Sequence, residues 1–149
     1  MKILNLLLLI SLTLSTTFTG KVIKITDGDT IVVLTNDNEQ IKIRLEGIDC
    51  PESSQDFGTR AKQATSDLCY GKQVKIIKSG EDKYGRTLGF VIVGDVNVNK
   101  ELLRLGMAWH YKYFNKDDEL AKLEQEARKN NIGLWSQPNP VAPWDFRRK

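Results

Sequence analysis

Three short apolar segments separated by turn residues lie close together near the start of the chain, and they constrain its fold more than any other feature. We predict strands over residues 21–25, Thr30–Leu34 and Gln40–Leu45, because their side chains are β-branched or alternate between apolar and polar. Residues 36–38, Asn-Asp-Asn, are typical of a tight turn. The three segments therefore predict a β-meander.

The rest of the chain mixes helical spacing with further short apolar runs. Helices are predicted over residues 57–70, from Asn97 or Asn99 to Leu105 and over residues 117–130, and strands over residues 74–77 and 86–93. About five strands with a helix between the third and fourth favour an α+β, mainly β fold: an OB-fold five-stranded barrel with three helices. Another α+β arrangement has the same element order and stays open. A length of 149 residues suits one domain.

The first twenty residues have the layout of a secretory signal peptide. Lys2 precedes an apolar run over residues 3–14, and mostly small residues follow at 15–20. The apolar run is shorter than the roughly 20 residues of a membrane-spanning helix. We therefore expect cleavage between Thr17 and Gly20 and a secreted or periplasmic protein without a membrane anchor. An uncleaved anchor is the alternative.

The bulk charge and the cysteines leave two questions open. A formal net charge of +3 is too small to indicate a nucleic-acid-binding protein by itself. Cys50 and Cys69 are the two cysteines of the chain. An oxidising compartment would allow one disulfide between them, and two buried thiols are equally consistent with the sequence.

Four polar clusters lie at predicted strand ends and loops. They are Asp27-Gly28-Asp29-Thr30, Arg44-Leu45, Asp49-Cys50-Pro51-Glu52 and Asp82-Lys83-Tyr84-Gly85-Arg86. An isolated Asp-Gly pair is usually a turn, in which the glycine supplies conformational freedom. Carboxylates that converge from several clusters would instead bind a hard cation, such as Ca²⁺, Mg²⁺ or Mn²⁺. The single histidine, His110, lies between aromatic residues and is expected to be packed or on the surface.

The arginines of these clusters suit a phosphate. Arg44 and Arg86 could each hold phosphate oxygens through two parallel N–H groups, although a mid-strand arginine commonly just points to solvent. A phosphodiester transition state needs such stabilisation because negative charge builds up on its oxygens. Glu52 is then the candidate to activate a water molecule beside the cation.

These motifs, in this order and followed by Gly133-Leu134-Trp135-Ser136, resemble the thermonuclease (staphylococcal nuclease-like) family. Each motif alone is weak, but their co-occurrence is specific. The resemblance covers the chain from about Gly20 to Ser136. Together with the layout of the two ends, it predicts a signal peptide over residues 1–20, a nuclease domain over residues 21–136 and an extended, proline-rich tail over residues 137–149.

The resemblance implies a site built on one calcium ion. Asp29, Asp49 and the backbone carbonyl of Cys50 would hold Ca²⁺, with Asp27 and Glu52 acting through the surrounding water. Arg44 and Arg86 would bind the phosphate, and Glu52 would be the general base. The neighbouring substrate-binding residues would be Lys83, Tyr84, Tyr111 and Tyr113.

The resemblance also implies the activity. Members of the family hydrolyse DNA and RNA at the P–O5′ bond and leave 3′-phosphate ends. We therefore expect a calcium-dependent nuclease of low sequence specificity that acts as a monomer without a stable protein partner. The alternatives are a non-catalytic OB-type module that binds nucleic acid or protein, and a phosphohydrolase of small nucleotides.

The sequence departs from the best-known members of the family in two places. Cys50 replaces a threonine that is common there, and the loop over residues 53–56 is shorter. A Cys50–Cys69 disulfide would tie this loop to the end of the first helix.

Overall fold

The computed structural model describes residues 16–149, and β-strands dominate the first two thirds of this part. The strands are β1 (Thr16–Asp27), β2 (Thr30–Leu34), β3 (Gln40–Leu45), β4 (Ile48–Asp49), β5 (Gln73–Glu81), β6 (Thr87–Val93), β7 (Val96–Asn97) and β8 (Trp109–His110). The helices are α1 (Gly58–Cys69), α2 (Val98–Arg104), α3 (Asp118–Lys129), a 3₁₀ helix (Gly133–Ser136) and the single turn α4 (Pro143–Phe146).

Five of these strands form a closed barrel. The strands β1, β2 and β3 form an antiparallel meander, and the other side of β1 pairs with β5, which pairs with β6. A parallel pairing of β3 with β6 closes the barrel, with Arg44 opposite Leu88. This architecture confirms the predicted OB-type barrel with three main helices; α4 is an additional turn.

The barrel interior follows from the two-residue alternation of side chains along a strand. Every barrel strand contributes a side chain that is completely or almost completely buried: Val22, Ile31, Ile43, Ile76 and Val91. Leu102 of α2 and Leu120 of α3 extend the same core, which the amphipathic spacing of both helices allows. A second, smaller cluster joins Trp109, Trp135 and Ala142, with Trp144 packed against it.

Strand β1 begins earlier than the sequence predicted. Residues 16–20 pair with β5, from Thr16 opposite Lys78 to Gly20 opposite Val74. The predicted signal peptide boundary at residue 20 therefore falls inside a barrel strand. The rest of that segment, residues 1–15, lies outside the described residues. None of the helices in the described part is long and apolar enough to cross a bilayer.

The sequence predicts an extended C-terminal tail, but the structure has a short helix within it. Pro143 begins the short helix α4, where its fixed φ angle suits the first helical position and its missing N–H costs nothing. The Trp144 ring lies 5.5 Å from the Trp109 ring in an edge-on arrangement. The tail therefore folds back over the second hydrophobic cluster.

The two cysteines are free and buried, so of the two alternatives that the sequence left open the structure has the buried thiols and not the disulfide. A Cβ atom placed on Gly28 would lie 2.9 Å from both Cys50 and Ala61, which puts Cys50 beside the first turn of α1. Cys69 ends the same helix. Eight residues of helix separate Ala61 from Cys69, a rise of about 12 Å, so Cys69 lies at the opposite end of α1 from the turn beside Cys50.

Candidate active site

One cleft of about 750 Å³ collects nearly all the site residues predicted from the sequence. The predicted residues that line it are Asp27, Asp29, Arg44, Asp49, Cys50, Glu52, Lys83, Tyr84, Arg86 and Tyr111. Tyr113 is the exception: it is 61% exposed and does not line the cleft. Residues from five separate parts of the chain therefore meet in one place.

The turn between β1 and β2 directs Asp29 inwards. The backbone N–H of Asp29 donates to Asp27 Oδ1 at 3.1 Å, which fixes the turn. Asp29 Oδ2 accepts a 2.7 Å hydrogen bond from the N–H of Cys50, and Asp29 Oδ1 accepts one from the Thr30 hydroxyl. Asp29 therefore joins the loop after β4 to the start of β2. The Cys50 side chain faces the core rather than the cleft, since it belongs to the main hydrophobic cluster.

Gly28 is required for space rather than for its backbone angles. Its φ is not in the left-handed region, contrary to the expectation that glycine provides freedom at this turn. A Cβ atom at this position would lie 2.9 Å from the Ala61 Cβ and from the Cys50 Cβ and Sγ atoms. Only glycine lets the turn approach α1 this closely.

Arg44 holds the two buried acids together. Its Nη1 donates to the carbonyl oxygens of Leu45 at 2.6 Å and Ile48 at 2.8 Å. Its Nη2 lies 3.3 Å from Asp49 Oδ1 and 3.5 Å from Asp29 Oδ2. Arg44 is thus nearly buried and does not simply point to solvent, which was the alternative that its position in the strand allowed.

Burial and charge shift the acids of the site in different directions. Burial, followed by repulsion from Asp29, raises the pKa of Asp27 to about 7. Burial also raises the pKa of Asp49 above its ordinary value, against the opposing effect of its arginine partners. For Asp29, burial favours a raised pKa, but Arg44 and the hydrogen bonds outweigh it and hold the pKa low. The site therefore carries more buried negative charge than Arg44 neutralises.

A second turn presents the other predicted arginine. Asp82 Oδ1 accepts hydrogen bonds from the backbone N–H groups of Tyr84 and Arg86, and Asp82 Oδ2 accepts from Arg86 Nε at 2.6 Å. Tyr84 is 72% exposed, and the Lys83 and Arg86 side chains lie over its ring at 5.2 and 5.6 Å. Asp82 thus fixes Arg86 at the cleft wall, a role that the sequence motif did not reveal.

A third arginine, which no sequence motif indicated, lies in the cleft. Arg147 Nη2 donates to Asp49 Oδ2 at 2.8 Å, and Arg147 Nη1 donates to Glu52 Oε1 at 2.7 Å. The position of Arg147 depends on the tail folding back, for which local spacing carries no signal.

Aromatic residues pack on one another next to the cleft, which Tyr111 and Phe114 line. Tyr111 stacks on Trp144 with 5.6 Å between ring centroids and 6° between ring planes. Tyr113 meets Trp144 edge-on at 5.6 Å. His110 is buried, and its Nε2 lies 2.9 Å from Asn115 Oδ1, so it is packed away from the acids.

The charge and donor types of the cleft fit a divalent cation. Asp27, Asp29, Asp49 and Glu52 line it with hard carboxylate oxygens, which Ca²⁺ and Mg²⁺ prefer. Asp29, Asp49 and Glu52 share only two guanidiniums, those of Arg44 and Arg147, so these carboxylates outnumber the arginines that pair with them. Among residues 16–149 no three His, Cys, Asp or Glu side chains already surround a common ligand position. A cation on Asp49 would have to take oxygens that Arg147 now holds.

The barrel and its cleft define an OB-fold protein with an acid- and arginine-lined site suited to a phosphate ester. A family model described as staphylococcal nuclease homologue matches residues 42–137. The chain is 44% identical over 131 residues to an uncharacterized endonuclease of Haemophilus influenzae, covering 88% of this chain and 74% of that protein. It is 44% identical over 142 residues to a micrococcal nuclease of Shigella flexneri, covering 88% and 81%.

The chain therefore belongs to the staphylococcal nuclease family. A plant relative, the staphylococcal-like nuclease CAN1 of Arabidopsis thaliana, is 40% identical over 110 residues, covering 74% of this chain and 34% of that protein. The predicted family membership is confirmed.

Proposed function

We propose that the protein is a calcium-dependent nuclease that hydrolyses phosphodiester bonds of DNA and RNA with low sequence specificity. One observation carries this proposal: Asp29, Arg44, Asp49, Glu52 and Arg86 line a single cleft although they come from separate strands and loops. A module that only binds nucleic acid has no need for this combination of acids and arginines. Cleavage of the P–O5′ bond with 3′-phosphate products is the expected outcome.

Asp29 and Asp49 would hold the cation, together with the backbone carbonyl of Cys50. When bound, the cation would polarise the phosphate and orient the attacking water. The contact of both acids with Arg44 fixes their carboxylates on the same side of the cleft. The burial of Asp49, only 2% exposed, keeps its carboxylate in one orientation and strengthens its attraction for a cation.

Glu52 and Arg86 would act on the reacting groups. The Glu52 side chain is partly exposed at the cleft, where it can accept a proton from water. Arg86 is held to Asp82 through Nε, and a guanidinium has further N–H groups with which to bind a phosphate oxygen. Arg44 already bonds to two carbonyls and two acids, so its contact with phosphate is proposed on the family resemblance alone.

The substrate would be held by its backbone. Lys83 and Tyr84 line the cleft beside Arg86 and suit a neighbouring phosphate. Because no base-reading motif is visible, we propose a preference for flexible, unpaired or A·T-rich strands that can bend into the cleft.

We also propose that the protein is exported. The support is the composition of residues 1–20, and the pairing of residues 16–20 with β5 favours cleavage before Thr16 rather than at residue 20. N-terminal sequencing of protein recovered outside the cytoplasm would test this. A first residue at or before Thr16 agrees with the pairing, and an intact Met1 would contradict cleavage.

The activity is tested with purified protein and three substrates: single-stranded DNA, duplex DNA and RNA, in calcium or in chelator. Glu52→Gln and Arg86→Ala are the site variants. Their matched controls, Glu126→Gln and Arg104→Ala, change exposed residues on α3 and α2. We expect calcium-dependent cutting that each site variant loses by a factor of about 100 or more, while the controls retain it.

Other outcomes would change the conclusion. Cutting that survives chelator or both site substitutions would place the chemistry elsewhere. DNA binding without cutting by the wild-type protein would indicate a non-catalytic module. Hydrolysis of mononucleotides but not of polymers would indicate a phosphohydrolase of small nucleotides.

A further inference from the structure

Arg147 bonds to two of the acids that the proposed function assigns to the cation and to the water. Its Nη2 lies 2.8 Å from Asp49 Oδ2, and its Nη1 lies 3.2 Å from Asp49 Oδ1. The same Nη1 donates to Glu52 Oε1 at 2.7 Å. Both oxygens of Asp49 are thus engaged by one forked guanidinium, the strongest geometry for an arginine–carboxylate pair.

The fold places Arg147 there through contacts of the tail that precedes it. Trp144 lies three residues earlier and stacks on Tyr111, and Ala142 and Pro143 are buried. These contacts anchor α4, so Arg147 starts from a fixed backbone position. The Arg147 side chain is 39% exposed, which leaves room for it to move.

The tail also binds the short loop that follows Glu52. Gln55 Nε2 donates to the carbonyl oxygen of Val141, and Gln137 Nε2 donates to Asp56 Oδ2 at 3.3 Å. The loop that carries Glu52 and the tail that carries Arg147 are therefore joined by two hydrogen bonds besides the ion pair. These bonds between the loop and the tail hold Glu52 and Arg147 next to each other in the folded protein.

Arg147 and a divalent cation would require the same oxygens. A cation on Asp49 needs at least one oxygen that Arg147 now binds, and two positive charges at that distance repel each other in a partly buried site. Without Arg147, Asp49 would be a buried carboxylate that shares a single guanidinium, that of Arg44, with Asp29. An arginine tethered to the tail supplies a second guanidinium in the cation-free protein.

We propose that Arg147 is a further functional residue of this site: a tethered counter-ion that positions Asp49 and Glu52 in the cation-free protein and releases Asp49 when the divalent cation binds. The inference rests on the proposed function, because it takes the cation site at Asp49 from there. Arg147 is a positioning residue. Because it competes with the cation for Asp49, it sets the calcium concentration at which the site fills.

The test measures calcium binding directly, by titration calorimetry on the whole protein without nucleic acid. Wild type is compared with Arg147→Gln and with Arg148→Gln, an exposed neighbour in the same tail. We expect Arg147→Gln to bind calcium about tenfold more tightly, since one competing positive charge has been removed, and Arg148→Gln to match wild type. In chelator, Arg147→Gln should unfold at a lower temperature than wild type, and calcium should raise its Tm more.

A second measurement needs no variant. In the wild-type protein, the side-chain NMR signal of the Arg147 Nε–H should shift during a calcium titration and saturate with the same Kd as the calorimetry. An unchanged signal at saturating calcium would show that Arg147 does not release Asp49 and would overturn the inference.

The outcomes separate this inference from the function on which it rests. Calcium binding by wild type with equal or weaker binding by Arg147→Gln would overturn the inference and leave the calcium site intact. Absence of calcium binding in both wild type and Arg147→Gln would overturn the calcium site and the exchange together.

Discussion

The hydroxyl of Thr65 donates a 2.6 Å hydrogen bond to the carbonyl oxygen of Gly28, so helix α1 holds the turn that carries Asp27 and Asp29. Thr65 is completely buried, and its hydroxyl also lies 3.1 Å from the carbonyl oxygen of Ala61. The geometry of the acidic turn is therefore set partly by a residue that does not reach the cleft.

Replacing Thr65 by valine should destabilise the protein. The change keeps the shape of the side chain but leaves the Gly28 carbonyl without its hydroxyl donor, at a cost of about 1–3 kcal/mol in the free energy of unfolding. Urea denaturation measures this difference. Thr59→Val, at an exposed position of the same helix, is the matched control and should change stability by no more than about 0.5 kcal/mol. Equal effects of both substitutions would contradict the role of the hydrogen bond.

Gly28→Ala should be costly because of crowding. The added methyl group would lie 2.9 Å from atoms of Ala61 and Cys50, and overpacking of this kind costs about 1–3 kcal/mol. The displaced turn should also weaken calcium binding, which calorimetry would detect. Gly80→Ala is the control, since nothing lies within 4 Å of its added methyl group. A Gly28→Ala protein as stable as the Gly80→Ala protein would disprove the close approach.

Asp27 should make stability depend on pH in the absence of cation. Burial and Asp29 raise its pKa to about 7, against 3.8 for an ordinary aspartate. Between these values the folded protein holds a proton that the unfolded chain has released, so this contribution to the free energy of unfolding falls as pH rises from 3.8 towards 7.

Asp27→Asn should remove this dependence, because the amide oxygen can still accept from the Asp29 N–H but cannot ionise. Denaturation in chelator at pH 5 and pH 8 should show the variant gaining stability relative to wild type at the higher pH. Asp37→Asn, at an exposed turn, should track wild type at both values. Parallel pH profiles for wild type and Asp27→Asn would rule out the raised pKa.

Arg44→Met should be among the most destabilising single changes at the site. It leaves Asp29 and Asp49 buried without the guanidinium that bridges them, and breaking a buried ion pair costs about 3–5 kcal/mol. Arg104→Met removes an exposed pair with Glu101 and should cost about 0.5 kcal/mol or less. Denaturation curves of the two variants provide the comparison, and similar losses would argue against the bridging role.

The two thiols should react slowly in the folded protein. Burial raises the pKa of the Cys50 thiol well above its ordinary value and that of Cys69 to about 11, so little thiolate forms at neutral pH. A thiol-specific chromophoric reagent should titrate both cysteines only after denaturation, with no reductant added. Finding no reactive thiol in the denatured, unreduced protein would show that a disulfide had formed.

Much of the barrel could be predicted because its signals are local. Strands β2 and β3 were predicted with their observed bounds, since their alternating apolar residues are flanked by turn-forming ones. Helix α3 begins and ends within one residue of the predicted range. Its signals are also local: Asp117 caps it, and its apolar residues recur on one face. The cleft residues of the motifs were identified as a set because the family resemblance places them together.

The features that the sequence did not reveal depend on distant contacts. The first residues of β1 are mostly small or polar, and they become a strand through pairing with β5. Arg147 reaches Asp49 because Trp144 packs on the aromatic residues near β8, which no local spacing encodes. The separation of the two cysteines required knowing which end of α1 faces Cys50.

The parallel pairing of β3 with β6 also governs when a site can exist during folding. Ile43 meets Thr87 and Arg44 meets Leu88 across this seam, whose two strands are far apart in sequence. Closing such a long loop costs chain entropy before any contact repays it, so barrels of this kind fold on the order of milliseconds to seconds. Until β3 and β6 pair, Arg44 and Arg86 have no fixed separation. A newly made chain should therefore have no activity before the barrel closes.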